Sequence, residues 1–308
     1  MAPPTPPHAS PYSGALAARV TAQIRAALAQ GVRPWVQPWT DTGAPGPLAL
    51  PQRANGQAYR GINIPILWAA AQAHGYKANS WYSYKQAQAA GAFVRKGERG
   101  TAIIFYSGAR ARADDRAEPT PEQAASVAPR RAVLRGYTVF NADQIEGLPP
   151  TPAQAPTPPD APLTLARAAL ARVPADIRHG GDHAFYAPGP DFIQMPPHHA
   201  FSDDAKYCAT LAHELAHWTR HPTRLNRSFG AGRFGSAAYA LEELTAELAA
   251  AFIGAALNLA PDHIDDHASY IAIWLRVLED QPAAFLVAAA KAQVAADYIA
   301  ACWRNDAS

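Results

Sequence analysis

Apolar residues recur with the period of an α-helix near the start of the chain. They are Leu16, Val20, Ile24 and Leu28. Positions four apart share one face of a helix, and the glycine that follows this series is a common helix stop. The pattern therefore predicts an amphipathic helix over residues 15–31.

The rest of the first half alternates between short helical and short β patterns. Residues 62–75 and 83–91 predict two further helices, each closed by a glycine. Residues 101–107 and 133–141 are rich in β-branched and aromatic residues, which favours strands. We expect these strands to pair across residues 109–131, where mixed charge, alanine and proline predict a mobile insert. The first half is thus predicted to be α+β.

The second half is dominated by helical patterns. Its predicted helices lie at 163–172, 203–219, 237–257, 263–280 and 283–303. Residues 184–196 contain two short β-runs around Pro-Gly-Pro and predict a hairpin. The fold class expected for the whole chain is α+β with two domains, the second one mostly helical with a small sheet.

Proline marks the boundary between the halves. The segment LPPTPAQAPTPPDAP (148–162) has seven prolines in fifteen residues and predicts a semi-stiff linker at 149–162. The proline-rich start predicts a disordered tail at 1–12. The expected domains are therefore 13–148 and 163–305, and a fragment ending near Leu148 is expected to fold alone.

Composition narrows the class of protein. Hydrophobic residues make up 49% and charged residues 17% of the chain, which is enough apolar material for a packed core. No stretch of 18 residues is free of polar groups, so we expect no membrane span. The start lacks the features of a signal peptide, and the two cysteines are far apart, which predicts a cytoplasmic protein without a disulfide framework.

Charge is distributed unevenly along the chain. Residues 1–150 hold 16 Lys/Arg and 8 Asp/Glu, whereas residues 151–308 hold 11 and 17. A basic half joined to an acidic half indicates two different tasks, and the basic half is the candidate for nucleic-acid binding.

The segment TLAHELAHWTRH (210–221) contains a candidate metal site. Residues four apart lie on one face of a helix, so His213 and His217 can share one metal ion. Glu214 lies beside them and can serve as the general base on a metal-bound water. The motif specifies only three residues and also arises by chance, so a third ligand is needed to decide.

Two sources of a third ligand can be compared. On a continuous helix His221 would lie about 12 Å from His213 along the axis, which is too far to share its metal. We therefore interpret it as a structural residue after the helix. Residues 240–252 supply Glu242, Glu243 and Glu247, and carboxylates in so apolar a helix are unfavourable to bury unless paired or metal-bound. The alternative is an exposed acidic stripe.

Several long blocks of the chain resemble the ArdC-type antirestriction family, whose N-terminal domain also occurs in TraC-type conjugative primases. In the second half they are LAHELAHWTRHPTRLNR (211–227), YALEELTAELAAAFIG (239–254) and HASYIAIWLRVLEDQPAAFLVAAAKAQVAADYI (267–299). In the first half they are ALAQGVRPWVQPW (27–39), YRGINIPILW (59–68), WYSYKQAQAAGAFVRKGERGT (81–101) and YTVFNADQIEGL (137–148). One departure is Arg220, where a glycine is expected before the histidine.

This resemblance implies a single-stranded DNA-binding domain followed by a zincin-like metallopeptidase domain. It also implies a role in protecting incoming plasmid DNA from host restriction. The gluzincin layout it suggests makes Glu243 the third ligand of a Zn²⁺ ion and Glu247 the partner of a ligand histidine. The reverse roles for the two glutamates, and another divalent metal, stay open.

Cations and aromatic rings alternate through the first half. This pattern is typical of proteins that bind unpaired nucleic-acid strands, in which the rings stack on bases and the cations neutralise phosphates. The candidate DNA-binding residues are Arg33, Trp35, Trp39, Arg60, Lys77, Trp81, Tyr84, Lys85, Arg95, Lys96 and Arg99. The alternative for each aromatic residue is a place in the core. No helix-turn-helix, zinc-finger or RNP signature is present, so reading of a duplex sequence is not expected.

Three functions remain open at this level. The protein could act as an antirestriction factor, as a DNA-localised protease with a protein substrate, or as a binding protein with a structural metal. Glu214 argues against the third, because structural metal sites need no general base. If the second half is a peptidase, the hairpin 184–196 is expected to lie along its cleft.

Overall fold

The computed structural model describes residues 11–36, 49–107, 133–149, 161–230, 235–259 and 268–304. Most of the predicted tail, insert and linker lies outside these residues, as does Trp39.

The first half is α+β, as predicted. Its helices are α1 (Pro11–Ala29), α2 (Asn63–His74) and α3 (Tyr84–Ala89). Its strands are β1 (Gln52–Arg53), β2 (Ser80–Tyr82), β3 (Phe93–Val94), β4 (Thr101–Ser107), β5 (Val133–Asn141) and β6 (Ile145–Glu146). The main sheet has the order β1-β2-β5-β4, while β3 and β6 form a separate pair. The predicted pairing of β4 with β5 is confirmed, and it is antiparallel with Thr101 opposite Val139.

The second half contains five helices among the described residues. They are α4 (Ala161–Leu170), α5 (Asp204–Trp218), α6 (Ala237–Ala256), α7 (Ala268–Asp280) and α8 (Ala284–Arg304). The predicted hairpin is present as β8 (Phe185–Ala187) and β9 (Phe192–Met195). A third strand, β7 (Asp176–His179), pairs parallel with β9 and was not predicted, because its residues show no clear alternation of apolar and polar positions.

One hydrophobic core joins the two halves. The Trp35 ring, after α1, lies 6.0 Å from the ring centroids of both Trp274 in α7 and Phe285 in α8. Beside it, the Thr21 hydroxyl donates a hydrogen bond to the Pro282 carbonyl at 2.6 Å. This shared core argues against the expectation of separable domains, because a fragment ending near Leu148 would uncover the apolar face of α1. Folding of that fragment on its own stays a prediction.

Helix α8 is the only described helix that is long and apolar enough to cross a membrane. Half of that stretch is buried in the fold. Its buried face, including Ala288, Ala292 and Ile299, belongs to the shared core. Packing in this core therefore explains the length and apolar composition of α8.

Candidate metal centre

Helix α5 positions the two histidines. It begins after Asp203, whose carboxylate accepts a hydrogen bond from the Lys206 backbone N–H at 2.9 Å and so caps the helix. The neighbouring Ser202 hydroxyl donates a hydrogen bond to the same carboxylate at 2.9 Å. The helix ends at Trp218, so His221 lies beyond it, as predicted.

His213, His217 and Glu243 converge on one point. The two Nε2 atoms are 3.1 Å apart, and the Glu243 carboxylate oxygens lie 3.6 Å from Nε2 of His213 and 3.5 Å from Nε2 of His217. Ligands about 2.0–2.2 Å from a tetrahedral metal are separated by about 3.3–3.6 Å, so the two distances to Glu243 fall within this range and the distance between the imidazoles lies slightly below it. The donor atoms that these three residues offer all lie within 4.8 Å of one another. Their geometry and chemistry fit a divalent metal.

Helix α6 carries the carboxylates of this centre on a buried surface. Glu242, Glu243 and Glu247 are all buried, so the alternative of an exposed acidic stripe is wrong. Burial raises the pKa of Glu243, but its hydrogen bonds with His213 and His217 outweigh this and hold that pKa below its ordinary range. Glu243 is therefore ionised, which is the form in which a carboxylate binds a cation.

Glu242 supports His217 from the side away from the metal site. One Glu242 oxygen lies 3.1 Å from Nδ1 of His217, and buried Arg227 donates to the two Glu242 oxygens at 3.0 and 2.7 Å. Burial alone would lower the pKa of His217, but hydrogen bonds with Glu242 and Glu243 raise it. Glu242 was a candidate carboxylate in the sequence, but this role beside His217 was not predicted. A ligand imidazole has two nitrogens, and adjacent acids on one helix can serve both.

Glu247 occupies the corresponding position beside His213. Its Oε1 lies 3.9 Å from Nδ1 of His213, on the side of the ring away from Glu243. Its Oε2 accepts a hydrogen bond from Nε1 of Trp35 at 3.3 Å and lies 3.9 Å from Nη1 of Arg33. This arrangement supports Glu243, and not Glu247, as the third ligand, an assignment that stays a prediction.

Glu214 lies in α5 between the two histidines and is 7% exposed. A carboxylate held in a largely dry site is the kind of group that can act as a base on water at a metal. Its catalytic role remains a prediction.

Two predicted DNA-binding aromatics are part of the core. Trp35 and Trp81 are each 1% exposed, so neither ring offers a face to a base, and we correct their assignment as stacking residues. Arg33 is partly buried and faces Glu247, and its contact with DNA stays a prediction. The other described candidates are on the surface: Arg60, Lys77, Tyr84, Lys85, Arg95, Lys96 and Arg99. Among these, Arg60 forms an ion pair with Asp297, and Arg95 pairs with Glu98.

Hydrogen bonds and an ion pair connect the β8–β9 hairpin to the loop after α5. Arg224 binds both carboxylate oxygens of Asp191 and donates its Nε–H to the Trp218 carbonyl at 2.7 Å. The Tyr186 hydroxyl adds a 2.8 Å hydrogen bond to Asp191. The strands themselves pack against α5, so this anchor holds the hairpin beside the helix that carries the histidines.

Asp191→Asn is expected to destabilise the protein only where the native carboxylate is charged. The hydrogen bond from Arg224 lowers the pKa of Asp191 from 3.8 to about 2. A lowered pKa stabilises the fold above the unfolded value, and this contribution is lost as the pH falls through the folded value. The difference in unfolding free energy between wild type and variant should be constant above about pH 5 and shrink towards about pH 2.

Urea unfolding over this pH range measures the difference. Asparagine also tolerates the left-handed backbone of Asp191, where φ is 55°, so strain does not obscure the result. The control is Asp176→Asn, which breaks an exposed pair with Arg178 and should change stability little. A difference that persists unchanged down to pH 2 would contradict the assignment to charge.

Fold and donor geometry together define this chain as a protein in which a zincin-like metal centre shares its core with an α+β region. Residues 165–291 match the zincin-like metallopeptidase family, and residues 14–140 match the N-terminal domain of the anti-restriction factor ArdC. The chain belongs to the ArdC family of antirestriction proteins.

Solved structures and relatives agree with this assignment. The Mn(II)-bound crystal structure of antirestriction protein ArdC from plasmid R388 is 39% identical, with a TM-score of 0.73 over 94% of this chain and 98% of that one. Its metal-free structure gives 38% and 0.72 over the same shares. The uncharacterised protein y4eC of Sinorhizobium fredii is 45% identical over 80% of this chain and 79% of its own length. DNA primase TraC of Escherichia coli is 38% identical over 85% of this chain. The aligned region makes up only 25% of the length of TraC.

Proposed function

We propose that this antirestriction protein binds single-stranded DNA, protects incoming plasmid DNA from host restriction, and carries a Zn²⁺-dependent peptidase centre that acts on a protein substrate. The observation that carries the proposal is the joining of an ArdC-type N-terminal domain to a buried His-His-Glu site with Glu214 beside it. Both cysteines, Cys208 and Cys302, are free, which supports a cytoplasmic location.

A surface on the first half supports DNA binding. Phe105 on β4 and Tyr137 on β5 are each 48% exposed, and their rings meet edge to face at 6.1 Å. Arg135 is paired in register with Phe105 and is also exposed. We call Phe105, Arg135 and Tyr137 the ribbon patch. It presents two exposed rings and a cation, as binding to unpaired bases and phosphates requires. These rings can take the stacking role that buried Trp35 and Trp81 cannot.

Other exposed groups extend this proposal across the first half. Lys77, Tyr84, Lys85, Arg95, Lys96 and Arg99 are at the surface of the same region. The half as a whole carries twice as many basic as acidic residues. Such a surface attracts phosphates without regard to sequence, and binding weakens as salt rises because counterions are released on binding.

Binding to a fluorescent single strand and to its duplex tests this part of the proposal. The single strand is expected to bind more tightly, with affinity that falls steeply as salt increases. Tyr137→Ala should weaken single-strand binding by about tenfold, since one stacked base contributes about 1–3 kcal/mol. Phe185→Ala, which removes an exposed ring from the second half, is the control. Equal affinity for both forms of DNA, or no salt dependence, would contradict the proposal.

The metal site supports the peptidase part. Two imidazoles and one carboxylate suit Zn²⁺, which when bound acts as a Lewis acid and lowers the pKa of its water towards about 7. Within the chain, Glu214 would accept a proton from that water, and Glu242 and Glu247 would orient the imidazoles. The strand β8 lies at an edge of its three-stranded sheet, so its backbone could pair with an extended substrate.

Glu214→Gln separates chemistry from binding. The variant is expected to keep its metal and its affinity for single-stranded DNA but to lose hydrolysis of a protein substrate. In plasmid transfer into a restricting recipient, the wild type should protect and the variant should protect no better than an absent gene. Full protection by the variant would assign the antirestriction function to DNA binding alone. Failure of the wild type to protect would overturn the proposed function.

A further inference from the structure

We infer that Trp35 and Arg33 are positioning residues for the metal centre, although they belong to the first half of the chain and the ligands to the second. They act through Glu247. The inference rests on the proposed function in one respect only, namely that His213, His217 and Glu243 bind a metal ion.

Each ligand histidine faces a buried carboxylate with its Nδ1, at hydrogen-bond distance for His217 and at 3.9 Å for His213. Nδ1 of His217 faces Glu242, which is held by Arg227. Nδ1 of His213 faces Glu247, whose other oxygen faces Trp35 and Arg33. In each case a buried carboxylate stands between the imidazole and a set of donors. For His217 the arginine comes from the loop after α5, whereas for His213 the donors come from a segment more than 200 residues before Glu247 in sequence.

Burial makes these donors important. Glu247 is 7% exposed, and a carboxylate removed from water needs hydrogen bonds and positive charge to stay ionised and fixed in place. The Arg33 side chain, 13% exposed, supplies a charge, and Trp35 supplies an N–H. The Trp35 ring is wedged against Trp274 and Phe285, so the direction of its N–H is set by core packing.

Loss of these donors should therefore weaken metal binding. Carboxylates behind ligand histidines fix the orientation of the imidazole and raise its basicity, and their loss typically weakens metal binding by about 10–100-fold. A residue that acts one step further back should have an effect at the lower end of this range. The first half of the chain then contributes to metal affinity without contacting the metal.

Trp35→Phe in the full-length protein tests the inference, because it removes the N–H and keeps an aromatic ring in the core. Competition with a chromophoric chelator should show Zn²⁺ and Mn²⁺ bound about tenfold more weakly than by wild type. The absorption spectrum of the Co²⁺-loaded variant should also differ from that of wild type. The matched control is Thr21→Val, which breaks another hydrogen bond between the halves without touching Glu247.

A double-mutant cycle with Glu247→Gln separates positioning from general stability. If Trp35 acts through Glu247, adding Trp35→Phe to Glu247→Gln should change metal affinity by less than about twofold. Wild-type affinity in Trp35→Phe, full additivity with Glu247→Gln, or an equal loss in Thr21→Val would each overturn the inference while leaving the proposed function intact. A wild-type protein that binds none of these metals would overturn both.

Discussion

Glu243→Ala is expected to abolish stoichiometric metal binding. The Glu243 carboxylate faces Nε2 of both His213 and His217, at 3.6 and 3.5 Å, so its removal leaves two ligands where three are needed. Metal analysis after dialysis against a metal-free buffer should find the wild type loaded and the variant empty.

Glu247→Ala is the matched control, since it removes a neighbouring carboxylate of the same helix. Because Glu247 faces Nδ1 of His213, its loss should weaken binding by about 10–100-fold and leave the site able to load at high metal concentration. Full occupancy in Glu243→Ala, with an empty site in Glu247→Ala, would show that the two glutamates have the reverse roles.

Arg227→Met is expected to produce a large loss of stability. The Arg227 guanidinium is buried, binds both oxygens of Glu242 and also donates to the Thr219 hydroxyl and the Ala216 carbonyl. Removing one partner of a buried ion pair leaves the other charge in a dry environment, which destabilises proteins by about 3–5 kcal/mol. Urea unfolding of the metal-free protein at neutral pH measures this loss.

The control for this prediction is Arg178→Met. Arg178 pairs with Asp176 at the surface, with both side chains more than half exposed, and exposed pairs contribute about 0–1 kcal/mol. If the two variants unfold at similar urea concentrations, Arg227 does not stabilise the fold in the way proposed.

Local patterns explain which parts of this fold were predictable. The period of four in α1 and the spacing of His213 and His217 follow from the geometry of a single helix, so both could be seen in the sequence. The β4–β5 pair was also predictable, because its two strands are long and rich in β-branched and aromatic residues. Two-residue strands such as β1 and β3 carry too short a pattern to be recognised.

The residues that surround the metal site are placed by contacts between distant parts of the chain, which local sequence patterns cannot predict. Trp35 was predicted to stack on DNA because tryptophan beside arginine is typical of nucleic-acid surfaces. Its burial depends on Trp274 and Phe285, which are distant in sequence. Similarly, the pairing of Arg227 with Glu242 arises only when the loop after α5 folds back across α6.

Because the two halves share one core, we expect them to be inherited together. A recombination event that separated the first half from α7 and α8 would leave Ile24 and Trp35 exposed and would remove the Trp35 N–H from Glu247. Selection should therefore disfavour recombination between the halves, so that they are inherited as one piece. The alignment with TraC, which extends over 271 residues and so includes both halves, is what such joint inheritance would leave in a much larger primase.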